Sequence, residues 1–377
     1  MRLRRLQLTN FRSYAALDWR PAAAVTVVTG PNGSGKTNLL EAVSLLVPGR
    51  GLRSARAADL ARHGSPHWAI AAEIERDGEA YALGTGTIPE TPDRRVFRLN
   101  GAPPRSQAEI AALLSAVWIT PQMDRLFTES ASGRRRFLDR LVWALEPGHA
   151  REISAFEHAM AGRNRLLAEP YPDPAWLAGL EDSMARHAVA AAAARRHLVA
   201  RLAAAPPCDF PAARMVLLCP IADRLENQPA LAVEDWLRET LTADRARDAA
   251  AGNAALGAHR ADMRLEDQAT GLPAALASTG QQKALLLGVV LTHATVLATA
   301  RGAPPLLLLD EPVVHLDDAR RARLFAALAR GPAQAILTGT DSDVFTPLAG
   351  QAEALLAHAG TLAPDPRFPL PSPVNPA

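Results

Sequence analysis

Lysine is almost absent from this chain of 377 residues. Only Lys36 and Lys283 are present, and arginine supplies the other 39 of the 41 basic residues. An ammonium is a compact, strongly hydrated charge, whereas a guanidinium is a broad planar fork, so the two are not interchangeable in a tight site. Both lysines lie in short glycine-containing segments, Gly30–Thr37 and Ser278–Lys283. These segments are therefore the first candidates for a functional site.

Cysteine and long apolar runs are also scarce. Cys208 and Cys219 have no spacing typical of a metal site or a disulfide framework, and we expect both in the core. The longest apolar stretch, residues 284–300, is interrupted by His293 and three threonines and is shorter than the roughly 20 residues that a membrane span needs. No long apolar segment follows Met1. We expect a soluble cytoplasmic protein with no membrane partner.

The charge balance shows that the chain as a whole is not a polycation. The formal net charge is only +2, so any nucleic-acid surface has to be a local patch of arginine. Hydrophobic residues make up 48% of the chain, which is enough for a full core in one large domain or two ordinary ones.

The order of apolar segments predicts an α/β fold with a helical insertion. Residues 25–29 are typical of a buried strand, and residues 38–46 have the apolar spacing of a helix. Residues 68–100 alternate like antiparallel strands. Residues 306–309 and 335–338 are apolar runs typical of a parallel sheet that is buried on both faces.

Helical patterning begins near residue 130, and a last helix is predicted over about 234–251. The interpretation as an inserted arm is favoured over a helical subdomain that merely packs on the sheet. The C-terminal segment carries six prolines and is expected to be flexible. The predicted domains are a head of residues 1–129 and 255–360, an arm of residues 130–254, and a tail of residues 361–377.

Gly30–Thr37 has the full pattern of a phosphate-binding P-loop. Lys36 would neutralise the β- and γ-phosphate oxygens of ATP, and the Thr37 hydroxyl would bind Mg²⁺. An ordinary glycine-rich turn is the weaker interpretation, because a predicted strand precedes the loop and a predicted helix follows it. The nucleotide-binding residues expected here are Gly30, Pro31, Asn32, Gly33, Ser34, Gly35, Lys36 and Thr37.

An acidic pair, Asp310-Glu311, directly follows the apolar run 306–309. A carboxylate at the end of a buried strand in a P-loop fold can reach Mg²⁺, and the next one can deprotonate the attacking water. We therefore predict that Asp310 binds the metal and that Glu311 is the general base. Alone, an acidic pair after an apolar run would be weak evidence, but the P-loop upstream strengthens it.

Ser278-Thr-Gly280-Gln281-Gln-Lys283 opens an apolar helix and resembles the signature motif of ABC-type ATPases. A simple helix N-cap is the alternative interpretation. In that superfamily the motif closes over a nucleotide held by a second subunit, which implies an ATP-dependent homodimer. The resemblance makes Ser278, Gly280, Gln281 and Lys283 nucleotide contacts.

Three further positions follow from the same resemblance. Asp317 is placed like the D-loop residue at the dimer interface, and Gln122 like the glutamine that senses the γ-phosphate and the metal. Thr338 stands where many ABC ATPases have a switch histidine close by, and we expect its hydroxyl to contact the γ-phosphate. Because a hydroxyl cannot take a charge as histidine can, we expect slow ATP turnover.

Three other stretches resemble the RecF family of bacterial recombination mediators. They are Leu8-Thr-Asn-Phe-Arg12-Ser-Tyr, Arg134-Arg-Arg-Phe-Leu-Asp139 with the preceding Pro121-Gln-Met-Asp124, and Gly257-Ala-His-Arg-Ala-Asp262. The resemblance covers nearly the whole chain except the proline-rich tail. It implies a P-loop ABC-type ATPase head similar to SMC proteins, with a mixed sheet and an antiparallel β subdomain, and a mainly helical arm.

The resemblance also implies partners and a role. It implies ATP-driven dimerisation on gapped or junction DNA, and work with RecR and RecO to load a recombinase during repair and the SOS response. Many members of the family have Glu where this chain has Gln122, which is a departure at the sensor position. The rival functions are an ATPase regulator in phage defence, a transporter ATPase subunit and a degenerate ATP-sensing scaffold.

Arginine clusters are the candidates for DNA contacts. One group follows the first predicted helix, and the other opens the arm: Arg50, Arg53, Arg56 and Arg62, and Arg134, Arg135 and Arg136. From these we predict phosphate contacts by Arg53, Arg56, Arg134 and Arg135. The alternative for each is a solvated arginine in an arginine-rich chain.

Overall fold

The computed structural model describes residues 1–206 and 210–368, so Cys208 and the end of the predicted tail lie outside the described residues. The strands are β1 Arg2–Phe11, β2 Tyr14–Trp19, β3 Val25–Thr29, β4 Ala69–Arg76, β5 Glu79–Ile88, β6 Thr91–Leu99, β7 Ala116–Ile119, β8 Ala213–Leu218, β9 Asp262–Asp267, β10 Leu306–Leu309, β11 Ala335–Gly339, β12 Ala352–His358 and β13 Thr361–Pro364. The helices are α1 Lys36–Ser44, α2 Gln107–Leu113, α3 Ala131–Leu145, α4 His149–Leu167, α5 Pro174–Ala203, α6 Pro220–Arg224, α7 Ala230–Ala243, α8 Arg245–Ala251, α9 Thr279–Arg301 and α10 Asp318–Arg330.

Two compact units share the chain. The first comprises Met1–Asp124, Pro206–Ala212 and the chain from Ser278 onward, and the second comprises Arg125–Ala205 and Ala213–Ala277. The expected arm of residues 130–254 is therefore too short at its C-terminal end. The reason is that β9 pairs with β8 in a two-stranded antiparallel sheet, which keeps residues 255–277 with the helices of the second unit.

The first unit contains two sheets. An antiparallel sheet has the strand order β2-β1-β4-β5-β6, and a six-stranded sheet has the order β13-β12-β3-β11-β10-β7. In the six-stranded sheet every neighbouring pair is parallel except β12 with β13. The predicted ABC-type head, with a mixed sheet and an antiparallel β subdomain, is confirmed.

One hydrophobic cluster joins both sheets to α1. It includes Leu6 and Ile70 from the antiparallel sheet, Leu39 from α1, and Val28 and Leu308 from the six-stranded sheet. The strands β3, β7, β10 and β11 are buried along their whole length. Burial on both faces explains why these strands are continuous apolar runs and do not alternate with polar residues.

Helix α9 is the most apolar helix of the first unit. Among the described residues it alone is long and apolar enough to cross a bilayer, but most of it is buried within the protein. A core helix has these same properties. Its early residues, from Gln282 onward, are buried side by side, whereas Ser278 at its N-cap is exposed.

The second unit is built from α3 to α8 with the β8–β9 pair. The predicted last helix over 234–251 is in fact two helices, α7 and α8, which meet at Asp244. Arg163 lies fully buried among them and is paired with Glu181 at 2.9 Å and with Asp248 at 2.8 Å. The buried guanidinium therefore ties α4 to α5 and α8.

The predicted flexible tail begins too early. Thr361–Pro364 forms β13, which pairs with the end of β12 at the edge of the six-stranded sheet. Beyond it, the backbone N–H of Asp365 donates to the carbonyl of Ala354, and Phe368 is buried. Pro364 does not prevent the pairing of β13, because an edge strand leaves one row of backbone groups without a partner strand.

Candidate functional site

The P-loop lies between β3 and α1, as the sequence predicts. Gly35 has φ +109°, and a Cβ there would lie 2.8 Å from Ser13 Oγ, so this position requires glycine. Lys36 Nζ donates to the carbonyl oxygens of Gly30 at 2.7 Å and Pro31 at 3.0 Å. Burial lowers the pKa of the Lys36 ammonium, and the charges of Glu311 and Asp310 oppose this effect.

Ser34 is the loop residue that most clearly indicates a bound ligand. Its hydroxyl is buried, and it has no hydrogen-bond partner within the described part of the chain. A buried hydroxyl without a partner costs free energy unless a ligand or water satisfies it. Asn32 and Gly33, at the tip of the loop, are exposed.

The N-terminal motif braces this loop. Tyr14, fully buried, donates its hydroxyl to the carbonyl of Gly35 at 3.1 Å. Arg12 donates two hydrogen bonds, each 2.9 Å long, to the carboxylate of Glu41 in α1. Sequence reasoning identified the motif by its resemblance only. The contacts give it a physical role, because it holds both ends of the loop-to-helix junction.

The ends of three parallel strands bring the central polar residues together. Thr37, at the start of α1, donates its hydroxyl towards both carboxylate oxygens of Asp310, each at 3.0 Å. Asp310 follows β10, and β11 lies between β10 and β3, so Thr338 of β11 stands beside it. The predicted P-loop and acidic pair therefore meet at one edge of the sheet.

Thr338 has a different position from the one expected. It is fully buried inside β11, where its hydroxyl donates to Asp310 at 2.7 Å and accepts from the backbone N–H of Glu311 at 3.0 Å. A hydroxyl has only one proton to donate, and this one is directed to Asp310. The prediction that Thr338 contacts the γ-phosphate is therefore wrong, and the residue instead holds the acidic pair in place.

Glu311 is held in a strained backbone conformation. Its φ is +50°, which is uncommon for a residue other than glycine. The backbone N–H is bonded to Thr338, and the carbonyl accepts a hydrogen bond of 3.0 Å from Lys283 Nζ. Strain of this kind persists only where the surroundings over-determine it, and it concentrates at functional sites.

Lys283 is the second correction. Its side chain is fully buried, and besides the Glu311 carbonyl its ammonium contacts the Asp124 carboxylate at 3.2 Å. Because none of the Lys283 side chain is exposed, its ammonium is not free to contact a nucleotide. The sequence did not indicate that Asp124 is the partner of Lys283, although Asp124 ends the family-like stretch Pro121-Gln-Met-Asp124.

In the rest of the signature segment Ser278, Thr279 and Gln281 are exposed, whereas Gln282 is buried. Ser278 caps α9: its hydroxyl accepts from the backbone N–H of Gln281, and the Gln281 side chain accepts from the backbone N–H of Ser278. A Cβ on Gly280 would lie 2.4 Å from the carbonyl oxygen of His315, so glycine allows the loop of residues 311–317 to approach the helix start. Ser278 is therefore an N-cap, as the alternative interpretation expects. Gly280 lies close to the loop that contains the predicted D-loop residue Asp317.

The remaining predicted contacts lie at the periphery. Asp317 is the N-cap of α10, where its carboxylate accepts from the backbone N–H of Arg320 at 2.8 Å. Gln122 is exposed in a short 3₁₀ helix after β7, whose last residue pairs in register with Leu309. Gln122 therefore follows β7, which is the neighbour of β10, the strand that Asp310 follows.

The oxygen groups present fit a magnesium–nucleotide complex. Thr37 and Asp310 supply a hydroxyl and a carboxylate side by side, and both are hard oxygen ligands. Among the described residues no group of three or more His, Cys, Asp or Glu side chains is placed to hold a metal ion by itself. Mg²⁺ commonly takes one or two protein ligands and fills its remaining positions with phosphate oxygens and water.

Two of the predicted DNA contacts are used inside the second unit. Arg134 donates to both oxygens of Asp262, each at 2.8 Å, and Arg135 donates to the carbonyl of Ala261 at 2.9 Å. The bond to Asp262 raises the pKa of Arg134. The assignment of these two arginines to DNA is corrected, because their guanidinium groups join two of the quoted family motifs to each other.

The other two predicted arginines lie on the loop after α1. Arg53 donates to Asn38 at 2.8 Å and contacts the buried Glu41, with 38% of its side chain exposed. Arg56 pairs with Asp59, but 83% of its side chain is exposed. A largely exposed ion pair is weak and leaves Arg56 available to another anion.

Comparison with known proteins covers almost the entire chain. The family model described as "RecF/RecN/SMC N terminal domain" matches residues 2–357. A protein of Mesorhizobium japonicum named DNA replication and repair protein RecF is 45% identical over 367 residues, covering 96% of this chain and 97% of that one. A Brucella suis protein of the same name is 43% identical over 372 residues, covering 96% and 95%.

Solved structures agree in fold. The structure titled recombination mediator protein RecF-ATPrS in the RecFOR pathway has a TM-score of 0.84 at 21% identity, covering 96% of this chain and 98% of that one. An Smc head bound to the C-winged helix domain of ScpA has a TM-score of 0.52 at 16% identity, covering 96% of each chain.

The corrected role of Arg134 is testable by Arg134→Ala. The change leaves the carboxylate of Asp262 without its bidentate partner, so we expect a loss of about 1–3 kcal/mol in the free energy of unfolding, measured with urea. The exposed neighbour Arg136→Ala is the matched control and should change stability by less than about 0.5 kcal/mol. Wild-type stability together with weakened DNA binding in Arg134→Ala would restore the original assignment.

Proposed function

Because the chain belongs to the RecF family, we propose that it is an ATP-dependent DNA-binding protein of DNA replication and repair. The observation that carries the proposal is the meeting of the P-loop and the acidic pair. Thr37 Oγ1 lies 3.0 Å from both oxygens of Asp310, with Lys36 in the same loop. The geometry suits a nucleoside triphosphate with its metal, and the family gives the cellular process.

In the proposed site each residue has one task. The loop from Gly30 to Gly35 binds the phosphates of ATP, and Lys36 neutralises the charge on their terminal oxygens. Asp310 and Thr37 would hold Mg²⁺, which when bound stabilises charge on those same oxygens. Glu311 accepts the proton of the water that attacks the γ-phosphorus, and the products are ADP and inorganic phosphate. Gln122 is proposed to orient that water or the metal.

The site is proposed to be completed by a second copy of the chain. Ser278 and Gln281 are exposed, and within the described residues no hydrogen bond or ion pair joins them to the P-loop. Exposed Asp317 and the half-exposed Val314 lie in the segment that follows the acidic pair. ATP bound by one protomer would thus contact the α9 N-terminus of its partner, whose N–H groups and dipole favour an anion.

We propose that the ATP-bound homodimer holds DNA and that hydrolysis releases it. Such a switch needs slow, DNA-stimulated turnover rather than rapid metabolism of ATP. The preferred substrate is gapped or junction DNA, and RecR and RecO are the partner proteins with which the family loads a recombinase. A cytoplasmic location, where the chromosome lies, agrees with this role.

DNA retention with and without ATP tests the function directly. We expect ATP to increase the binding of gapped DNA, measured by fluorescence anisotropy beside single-stranded and duplex DNA of equal length. Lys36→Arg should abolish the ATP effect, since the larger planar guanidinium does not fit the tight loop. Equal DNA binding with and without ATP in the wild-type protein would refute the switch.

Glu311→Gln tests the general base. The amide keeps the shape of the side chain but cannot take a proton, so the rate of ATP hydrolysis should fall by about 10²–10⁴-fold. ATP binding remains intact in this variant, so sedimentation velocity should show a dimer that persists in ATP. Wild-type turnover, or a strictly monomeric protein in ATP, would contradict the assignment.

Thr338 is proposed to position the acidic pair without touching ATP. Thr338→Val keeps the volume but removes both hydrogen bonds, and we expect kcat to fall roughly tenfold to a hundredfold for a loss of about 1.5–3 kcal/mol. KM for ATP should change little. Thr338→Ser retains the hydroxyl and should recover most of kcat. An increase in KM with unchanged kcat would instead indicate direct nucleotide contact.

A further inference from the structure

The outer strand of the antiparallel sheet carries arginines that the sequence reasoning did not assign. Arg94 and Arg98 of β6 are exposed, and the side chain of neither has a hydrogen bond or an ion pair among residues 1–206 and 210–368. Many other surface arginines are paired, such as Arg4 with Glu75 and Arg5 with Asp18. An exposed guanidinium without an acidic partner is free to meet an external anion.

Alternation along β6 gives its arginines two different tasks. Arg95 lies with its guanidinium carbon 4.6 Å from the centre of the Phe97 ring, and it donates towards the carbonyl of Val47. Because side chains alternate across a strand, Arg94 and Arg98 lie on the other face. There Arg98 stands opposite Gly84 of β5, which has no side chain to cover it.

The loop after α1 lies beside β6. The short 3₁₀ helix Ala58–Leu60 packs against the strand, and Val47, which accepts from Arg95, lies just before the loop. The Asp93 charge of β6 also acts on Arg56, whose pKa is raised mainly by its bond to Asp59. Residues 50–62 and 91–99 are therefore neighbours, through the side of β6 that carries Asp93 and Arg95, and we name the two segments together the β6 surface.

The β6 surface is strongly basic in a nearly neutral chain. Its two segments contain seven arginines and two aspartates, whereas the formal net charge of the entire protein is +2. Of these arginines, all but Arg95 are exposed: Arg50, Arg53, Arg56, Arg62, Arg94 and Arg98. Such a local excess attracts polyanions by releasing their counterions, independently of base sequence.

The dimensions of the strand suit a regular polyanion. At roughly 3.3 Å per residue, positions 94 and 98 are separated by about 13 Å. Duplex DNA rises about 3.4 Å per base pair, so the two guanidinium groups span about four base pairs. Two arginines at this separation can contact two different phosphates of the duplex. Their flexible side chains can accommodate the remaining difference between the strand spacing and the phosphate spacing.

We propose that the β6 surface binds the phosphate backbone of DNA, with Arg94 and Arg98 as the contacts. The proposal rests on the proposed DNA-binding function and names where the first unit carries it out. The contacts position DNA and do not distinguish bases, because all the groups involved are arginines aimed at phosphate. An acidic protein would compete for the same charges, and its binding is an outcome of the test.

The experiment compares two double variants of the full chain. Arg94→Gln with Arg98→Gln removes two charges from the β6 surface. Arg151→Gln with Arg165→Gln removes two exposed arginines of α4 that also have no ion pair among the described residues. Affinity for a 30-base-pair duplex is measured between low and physiological salt. We expect the β6 double variant to bind about tenfold or more weakly, with a salt slope reduced by roughly 1–2.

The control variant should keep the wild-type affinity and slope. Replacing Arg94 and Arg98 by lysine keeps both charges and should restore the slope, which separates charge from a folding defect. Wild-type affinity and slope in the glutamine variant, or an equal loss in the control, would overturn the proposal. Loss of an acidic protein ligand with unchanged DNA binding would overturn it as well.

The outcomes also separate this proposal from the function itself. Dimerisation in ATP and hydrolysis without DNA should be unchanged in the glutamine variant, because no residue of the P-loop or the acidic pair is altered. If the wild-type protein binds no DNA in any nucleotide state, the proposed function fails. If the wild type binds DNA and only the β6 assignment is wrong, the variant binds as the wild type does.

Discussion

A short chain of hydrogen bonds organises the first unit. Thr37 donates to Asp310, and Thr338 donates to Asp310 while it accepts from the backbone of Glu311. These bonds join the helix after β3 to the ends of β10 and β11, which are neighbours in the sheet. Because Asp310 and Thr338 are buried, each unsatisfied polar atom would cost about 1–3 kcal/mol. The acidic pair can therefore lie at the carboxyl ends of the strands only where β3, β10 and β11 are in register.

The same constraint explains the strained Glu311. A left-handed conformation for a glutamate is unfavourable by itself, and the two bonds from Thr338 and Lys283 hold it from opposite sides. Lys283 belongs to α9, whose exposed N-terminus carries the signature segment. The buried ammonium of Lys283 therefore joins the start of α9 to the backbone carbonyl of the proposed general base.

Local pattern was enough to predict the strand–loop–helix of the P-loop and an acidic pair directly after a buried strand, because each is encoded within a few consecutive residues. The ABC-type fold was predicted from the resemblance of motifs that are spread along the chain. Roles that depend on distant partners were not predictable. The role of Arg134 depends on Asp262, which lies far along the chain, so the local sequence indicates only a solvated or DNA-binding arginine. The predicted contact of Thr338 with the γ-phosphate was wrong because the sequence position of a threonine does not show which acceptor its hydroxyl bonds to. The acceptor here is Asp310. The boundary at 254 failed for the same reason, since the pairing of β9 with β8 is long-range.

The two lysines are retained for different physical reasons. Lys36 lies inside a loop whose carbonyls it contacts at 2.7 and 3.0 Å, and a phosphate-binding loop has no room for a planar fork. Lys283 never reaches the surface, and its ammonium satisfies a carboxylate and a carbonyl that lie on two different segments. An arginine there would bring five donors into a space that offers two acceptors, leaving buried N–H groups unsatisfied. Buried space and acceptor geometry, rather than nucleotide contact alone, thus account for the rarest basic residue in the chain.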